Sequence, residues 1–187
     1  MPIPERLQKQ IDTAKQQEFA TVDFLAGWEN YETWEEATVG ESRVSEHVFE
    51  IVEEDIVAYN RSCGETHPLM IDPDYARKHS PTGEVLQHPI FVTALGFYCI
   101  GAEGLGSWIR SPGARNPGQR IEIMEPFRNG EKITATITTA DKFVQRGKHY
   151  LQMLIEFRNE AGTLKATWLC SLILPPTRAD LEKFARI

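Results

Sequence analysis

Residues His88 to Ile109, HPIFVTALGFYCIGAEGLGSWI, constrain the chain most, because their first two-thirds have no polar face and no charge before Glu103. A helix at a surface keeps one polar side, so a run that is apolar all round must be enclosed by other structure. Pro89 suits the first turn of such a helix, where a missing N–H costs nothing. Gly96 and Gly101 form helix poorly, but they let a neighbour approach the backbone closely. The apolar part is shorter than the roughly 20 residues of a membrane span, and Pro and Gly interrupt it. The run therefore predicts a long central helix wrapped by a sheet.

The flanking segments supply that wrapping. Pro4 to Phe19 reads as a polar helix, and Phe24, Leu25, Trp28, Tyr31 and Trp34 follow it as aromatic and apolar anchors. Ser42 to Ile51 alternates as a strand. Glu53-Glu54-Asp55 opens a short helix through Cys63, with acids where the helix dipole favours them and Gly64 as its stop. Asp72 is a good N-cap for a helix in Pro73 to His79, with Pro73 at the first helical position. After the apolar run, SPGARNPGQ (111–119) reads as a loop and Gln119 to Glu125 as a strand, and Asn129-Gly130 marks a tight turn. Lys132 to Ala140, His149 to Phe157 and Lys165 to Leu174 complete a meander. In the first, Ile133, Ala135 and Ile137 share a face, and in the second Leu151, Met153, Ile155 and Phe157 do. Pro175-Pro176 stops the last strand, and Thr177 starts a terminal helix.

The fold class expected is α+β: a single hot-dog unit, an antiparallel sheet around a central helix. It divides into a helical and aromatic arm over 1–39, the hot-dog domain over 40–176 and a short helix over 177–187. One sheet on one helix leaves an edge and an outer face to cover, so dimerisation is expected.

A net charge of −7 argues against a general nucleic-acid or membrane-surface binder, which needs a basic footprint. Cys63, Cys99 and Cys170 are far apart with no CxxC pair, and Cys99 and Cys170 sit in apolar runs as core residues. With no apolar h-region in MPIPERLQKQ, a reducing cytoplasm is the expected location. His47, His67, His79, His88 and His149 lack metal-ligand spacing, so no metal or resident cofactor is expected.

EEDIVAYNRSCGETHPLMIDPDYARK, VLQHPIFVTALG, PFRNGEK and the closing strands together resemble the MaoC-like family of R-specific enoyl-CoA hydratases and fatty-acid-type dehydratases. The likeness runs from about Gly40 to Pro176. It implies a hot-dog fold and an acyl-CoA substrate. In that family a G-D-x-N-P-x-H-x-D loop holds one water between its Asp and its His. Water must lose a proton as it attacks C3 of an enoyl thioester while C2 gains one, and a carboxylate and an imidazole on one face serve both needs.

Laid onto that loop, the Asp position holds Glu65 and the His position holds Met70, which cannot carry a proton. The family's A-H-G run falls on Gln87-His88-Pro89, and Pro89 has no N–H to offer an oxyanion. His67 or His88 is then the candidate partner of Glu65, and the amides of Ile90 and Phe91 are candidates to face an anion. Met70, Ile90, Phe91 and Phe97 become candidate substrate contacts, with Arg146 and Lys148 for the phosphates of CoA and Arg110 and Arg115 as further cations.

The resemblance implies an enoyl-CoA hydratase or 3-hydroxyacyl-CoA dehydratase. It would work either alone, as a homodimer, or as the substrate-binding half of a heterodimer with another MaoC-like chain. Alternatives are a non-catalytic acyl-CoA-binding or assembly partner and a hot-dog thioesterase.

Overall fold

The computed structural model describes residues 5–9, 11–23, 26–101 and 105–185. Phe24, Leu25 and Glu103, and the Pro4 start of the first helix, lie outside them. The chain divides into two compact units, one drawn from Met1–Asp23, Glu50–Phe91 and Pro126–Glu131 and the other from Phe24–Phe49, Val92–Glu125 and Lys132–Ile187.

The first unit is helical. Its opening segment is two short helices, α1 (Glu5–Gln8) and α2 (Ala14–Ala20), where one helix was expected. The break is a reciprocal cap at Thr13. The Thr13 hydroxyl accepts the Gln16 N–H at 3.3 Å, and the Gln16 side chain accepts the Thr13 N–H at 3.1 Å. That arrangement starts a new helix instead of continuing an old one. α3 (Glu53–Ser62) follows as expected, with Ile56, Val57 and Ala58 buried and its Asp55 paired to Lys15 at 2.5 Å. α4 (Pro68–Ile71) and α5 (Pro73–His79) come next, and the Asp72 carboxylate accepts the Tyr75 N–H at 3.1 Å as the expected N-cap. Asn129-Gly130 belongs to this unit too. The Asn129 carboxamide accepts the Glu53 N–H at 2.9 Å, and the Gly130 N–H donates to the Ile51 carbonyl at 2.8 Å.

The second unit is the sheet and its helix. Strands β1 (Ser42–Val44), β2 (Phe49–Glu50), β3 (Arg115–Ile123), β4 (Lys132–Gln145), β5 (Lys148–Arg158) and β6 (Leu164–Leu174) form one six-stranded sheet of order β1-β4-β5-β6-β3, with β2 also on β4. Two boundaries differ from expectation. Ser42–Ile51 is two strands because Ser45 interrupts the ladder: its hydroxyl takes the Ala135 N–H at 3.0 Å, a bond the backbone would otherwise hold. β3 begins at Arg115, inside the stretch read as a loop, and Pro117 is tolerated there because β3 is an edge strand.

α6 (Phe91–Cys99) lies on the inner face of the sheet and α7 (Arg178–Ala185) closes the chain. Val92, Leu95 and Cys99 are buried, as are Ile133, Ala135 and Ile137 of β4, Leu151, Met153, Ile155 and Phe157 of β5, and Trp168 and Cys170 of β6. On β4 and β5 these are the faces that alternation predicted. The central helix is shorter than predicted: nine residues, with a separate 3₁₀ turn at Ser107–Arg110. Glycines at 101 and 106 are the reason, since each costs about 1 kcal/mol in a helix interior.

Candidate active site

The last turn of α3 organises the site in the first unit. Gly64 adopts φ +80, a left-handed value that ends the helix and that residues with a side chain rarely take. The chain then turns back, and the Glu65 N–H donates to the Asn60 carbonyl at 3.1 Å. Farther on, the His88 N–H donates to the Asn60 side-chain oxygen at 2.9 Å. Glu65 and His88 are thereby brought together, with Glu65 Oε1 3.8 Å from His88 Nε2. Both side chains are partly exposed, 31% and 23%, so the pair is in contact with solvent.

The protonation pattern of His88 follows from its neighbours. Its Nδ1 accepts the Ile90 N–H at 3.2 Å, so the neutral ring carries its proton on Nε2, the nitrogen facing Glu65. A ring N–H and a carboxylate oxygen thus face each other across 3.8 Å. Tyr59 flanks them: its hydroxyl donates to the Ile90 carbonyl at 3.2 Å, and its ring lies 6.3 Å from that of His88 and 5.3 Å from that of Phe91.

His67 is placed differently. Its Nδ1 accepts the Leu69 N–H at 3.2 Å, making it the N-cap of α4, and its ring is exposed. Met70 is half-buried and its carbonyl accepts from Asn60 at 2.7 Å. The amides of Ile90 and Phe91, expected to face an anion, both turn to His88, the first to Nδ1 and the second to the carbonyl at 2.9 Å. The Ile90 side chain is 44% exposed, whereas Phe91 is buried. Among the described residues, no three His, Cys, Asp or Glu side chains gather as a metal site.

No family model matches the sequence, and no curated protein does. Solved structures do match. An R-hydratase from Pseudomonas aeruginosa superposes at a TM-score of 0.61 and 21% identity, over 78% of this chain and 86% of that one. A MaoC-like dehydratase from Rhodospirillum rubrum gives 0.61 and 17%, over 76% and 96%. The 3R-hydroxyacyl-ACP dehydratase complex of Mycobacterium tuberculosis gives 0.63 and 18%, over 74% and 98%. The chain has the MaoC-like hot-dog fold. At these identities the likeness is one of fold, and residue roles rest on this chain's own geometry.

The remaining candidates lie in the second unit of this hot-dog chain. Phe97 packs near Trp168, with ring centroids 6.2 Å apart, on a cavity of about 130 Å³ shared with Ile109 and Leu172. Arg146 and Lys148 flank Gly147 at the exposed β4–β5 turn, and Lys148 borders a pocket of about 250 Å³ with Arg115 and His149. Arg110 is half-buried, donates to the Phe97 carbonyl at 2.8 Å, and burial holds its guanidinium below its ordinary value.

Asn60 escaped the sequence reading. The signal for Asn60 lay in the helical period, where it follows Ile56 and Val57 on the inward side of α3, and it is 0% exposed. A buried amide among apolar residues must be holding something.

Proposed function

We propose that this chain adds water to an enoyl thioester, or removes it from a 3-hydroxyacyl thioester, with Glu65 and His88 as its acid–base pair. The observation carrying this reading is the 3.8 Å approach of His88 Nε2 to Glu65 Oε1, with the histidine tautomer set by the Ile90 amide. The Nε2–H holds the water oxygen. The Glu65 carboxylate takes a proton from that water as its oxygen bonds to C3, then delivers the proton to C2. The double bond becomes a single bond, one face of the substrate gains both groups, and Glu65 returns to its charged form.

Coenzyme A is the carrier favoured, because a chain of net charge −7 repels acidic carrier proteins. Arg146 and Lys148 are exposed at the β4–β5 turn of the second unit and have the charge that a phosphate pairs with. Crotonyl-CoA and branched enoyl-CoAs, followed by loss of the enoyl absorbance, test the reading. Glu65→Gln and His88→Gln should each lower kcat/KM by about 100-fold or more, whereas His67→Ala should leave it near wild type. Full activity in Glu65→Gln would remove the proposal.

One observation favours a second reading, a substrate-binding chain in a two-chain dehydratase. Pro89 has no N–H, and Ile90 and Phe91 give theirs to His88, so these positions offer no donor to an enolate oxygen. That reading expects no turnover by the chain alone and recovery on mixing with a MaoC-like chain that carries the Asp and His. Acyl-CoA binding without turnover in either setting would identify a binding or assembly partner, and release of free thiol a thioesterase.

A further inference from the structure

We propose that Asn60 is the positioning residue of the Glu65–His88 pair, an inference that rests on reading that pair as acid and base. Both functional residues are tied to it. The main-chain carbonyl of Asn60 accepts the Glu65 N–H at 3.1 Å, and its side-chain oxygen accepts the His88 N–H at 2.9 Å. Its amide nitrogen donates to the carbonyls of Met70 at 2.7 Å and Leu86 at 2.8 Å. One buried carboxamide thus joins α3 to the two segments that carry the pair, and the Leu86 N–H donates to the Leu69 carbonyl at 2.9 Å as a further tie between those segments.

The residue type is demanded by the site. Two donors and an acceptor are needed in one plane, which an amide supplies and a carboxylate or hydroxyl does not. Leucine has nearly the same shape, so a residue needed only for packing would tolerate it. Replacement by leucine instead leaves two carbonyls and the His88 amide without their partner, and such losses loosen geometry as well as stability. His88 is held at its amide by Asn60 and at Nδ1 by Ile90, and release of the first lets the ring turn away from Glu65.

Native-state amide exchange and long-range proton–nitrogen correlations of the histidine rings, on the full chain, read this tether without requiring turnover. The wild-type His88 amide should be protected and its neutral ring should carry the proton on Nε2 alone. Asn60→Leu should speed His88 exchange by about tenfold or more and mix the two tautomers. Asn60→Asp keeps the acceptor and, as the neutral acid that burial beside two carbonyls imposes, one donor in place of two. Its His88 amide should exchange more slowly than in Asn60→Leu and far more slowly than in an open loop.

A folded Asn60→Leu that retains protection and a single tautomer overturns the proposal, as does a wild type lacking them. Should Asn60→Leu not fold, Asn60→Asp decides, and a His88 amide exchanging at the rate of an open loop overturns it. In turnover, Asn60→Leu should lower kcat by about 100-fold with KM little changed. The same change made in Glu65→Gln should add almost nothing, whereas additive losses would place Asn60 outside the pair's action. An intact tether in a wild type that hydrates no enoyl-CoA would remove the acid–base reading and keep Asn60 as the organiser of the two segments.

Discussion

At Gly96 the central helix meets the sheet so closely that a β-carbon would lie 2.6 Å from a ring carbon of Trp168. Trp168 is 1% exposed and its neighbour Phe157 fully buried, so neither ring has room to retreat. Gly96→Ala should therefore cost about 1–3 kcal/mol of stability, read as a lower urea midpoint with an unchanged slope. The cysteines also differ one from another. Burial pushes the Cys99 and Cys170 thiols up to about 12, while Cys63 stands exposed at the end of α3. A thiol reagent at pH 8 should label Cys63 alone in the native protein and all three after denaturation. Their burial was legible in the sequence from the apolar runs around Cys99 and Cys170. The tie from Asn60 to His88 was not, because a hydrogen bond between residues 28 apart in the chain leaves no local pattern.

Among the elements, the β4–β5 hairpin carries the one non-glycine positive φ among the described residues, Arg146 at 50°, followed by Gly147 at 71°. That is the turn in which Asn-Gly is preferred, so Arg146→Asn should stabilise the fold by about 0.5–1 kcal/mol in a denaturant titration. If the guanidinium meets a CoA phosphate, the same variant weakens acyl-CoA binding, and stability and affinity move in opposite directions. At the β1 end of the strand order, Ser45→Ala takes the acceptor from the Ala135 N–H and should cost about 1 kcal/mol. Strand faces were readable because alternation is local, and so was the Asp72 cap. Strand ends were not, since Ser45 stops a strand only by reaching a backbone group 90 residues away.

For the whole molecule, the two buried thiols set a limit at high pH. Each titrates near 9.0 in the unfolded chain and near 12 when folded, so the unfolded state sheds its protons first. Their contribution is complete below pH 9 and is lost as pH rises from about 9 towards 12. Stability should fall by on the order of 2 kcal/mol between pH 8 and 10 from these groups. Urea unfolding across that range measures the fall, and Cys170→Val should make it shallower. No helix among the described residues is long and apolar enough to cross a membrane.

The closing meander of strands, the inward faces of β4 and β5 and the enclosure of the run after His88 were all determined by the sequence itself. Those properties follow from hydrophobic period and turn residues, which act over a few positions. Tertiary structure alone decided that His88, rather than His67, stands beside Glu65, and that the amides ahead of the central helix point at His88. The reason is that folding must satisfy every buried polar group at once. At Asn60 that requirement gathers the carbonyls of Met70 and Leu86 and the amide of His88 around one side chain, and so sets which imidazole meets the carboxylate.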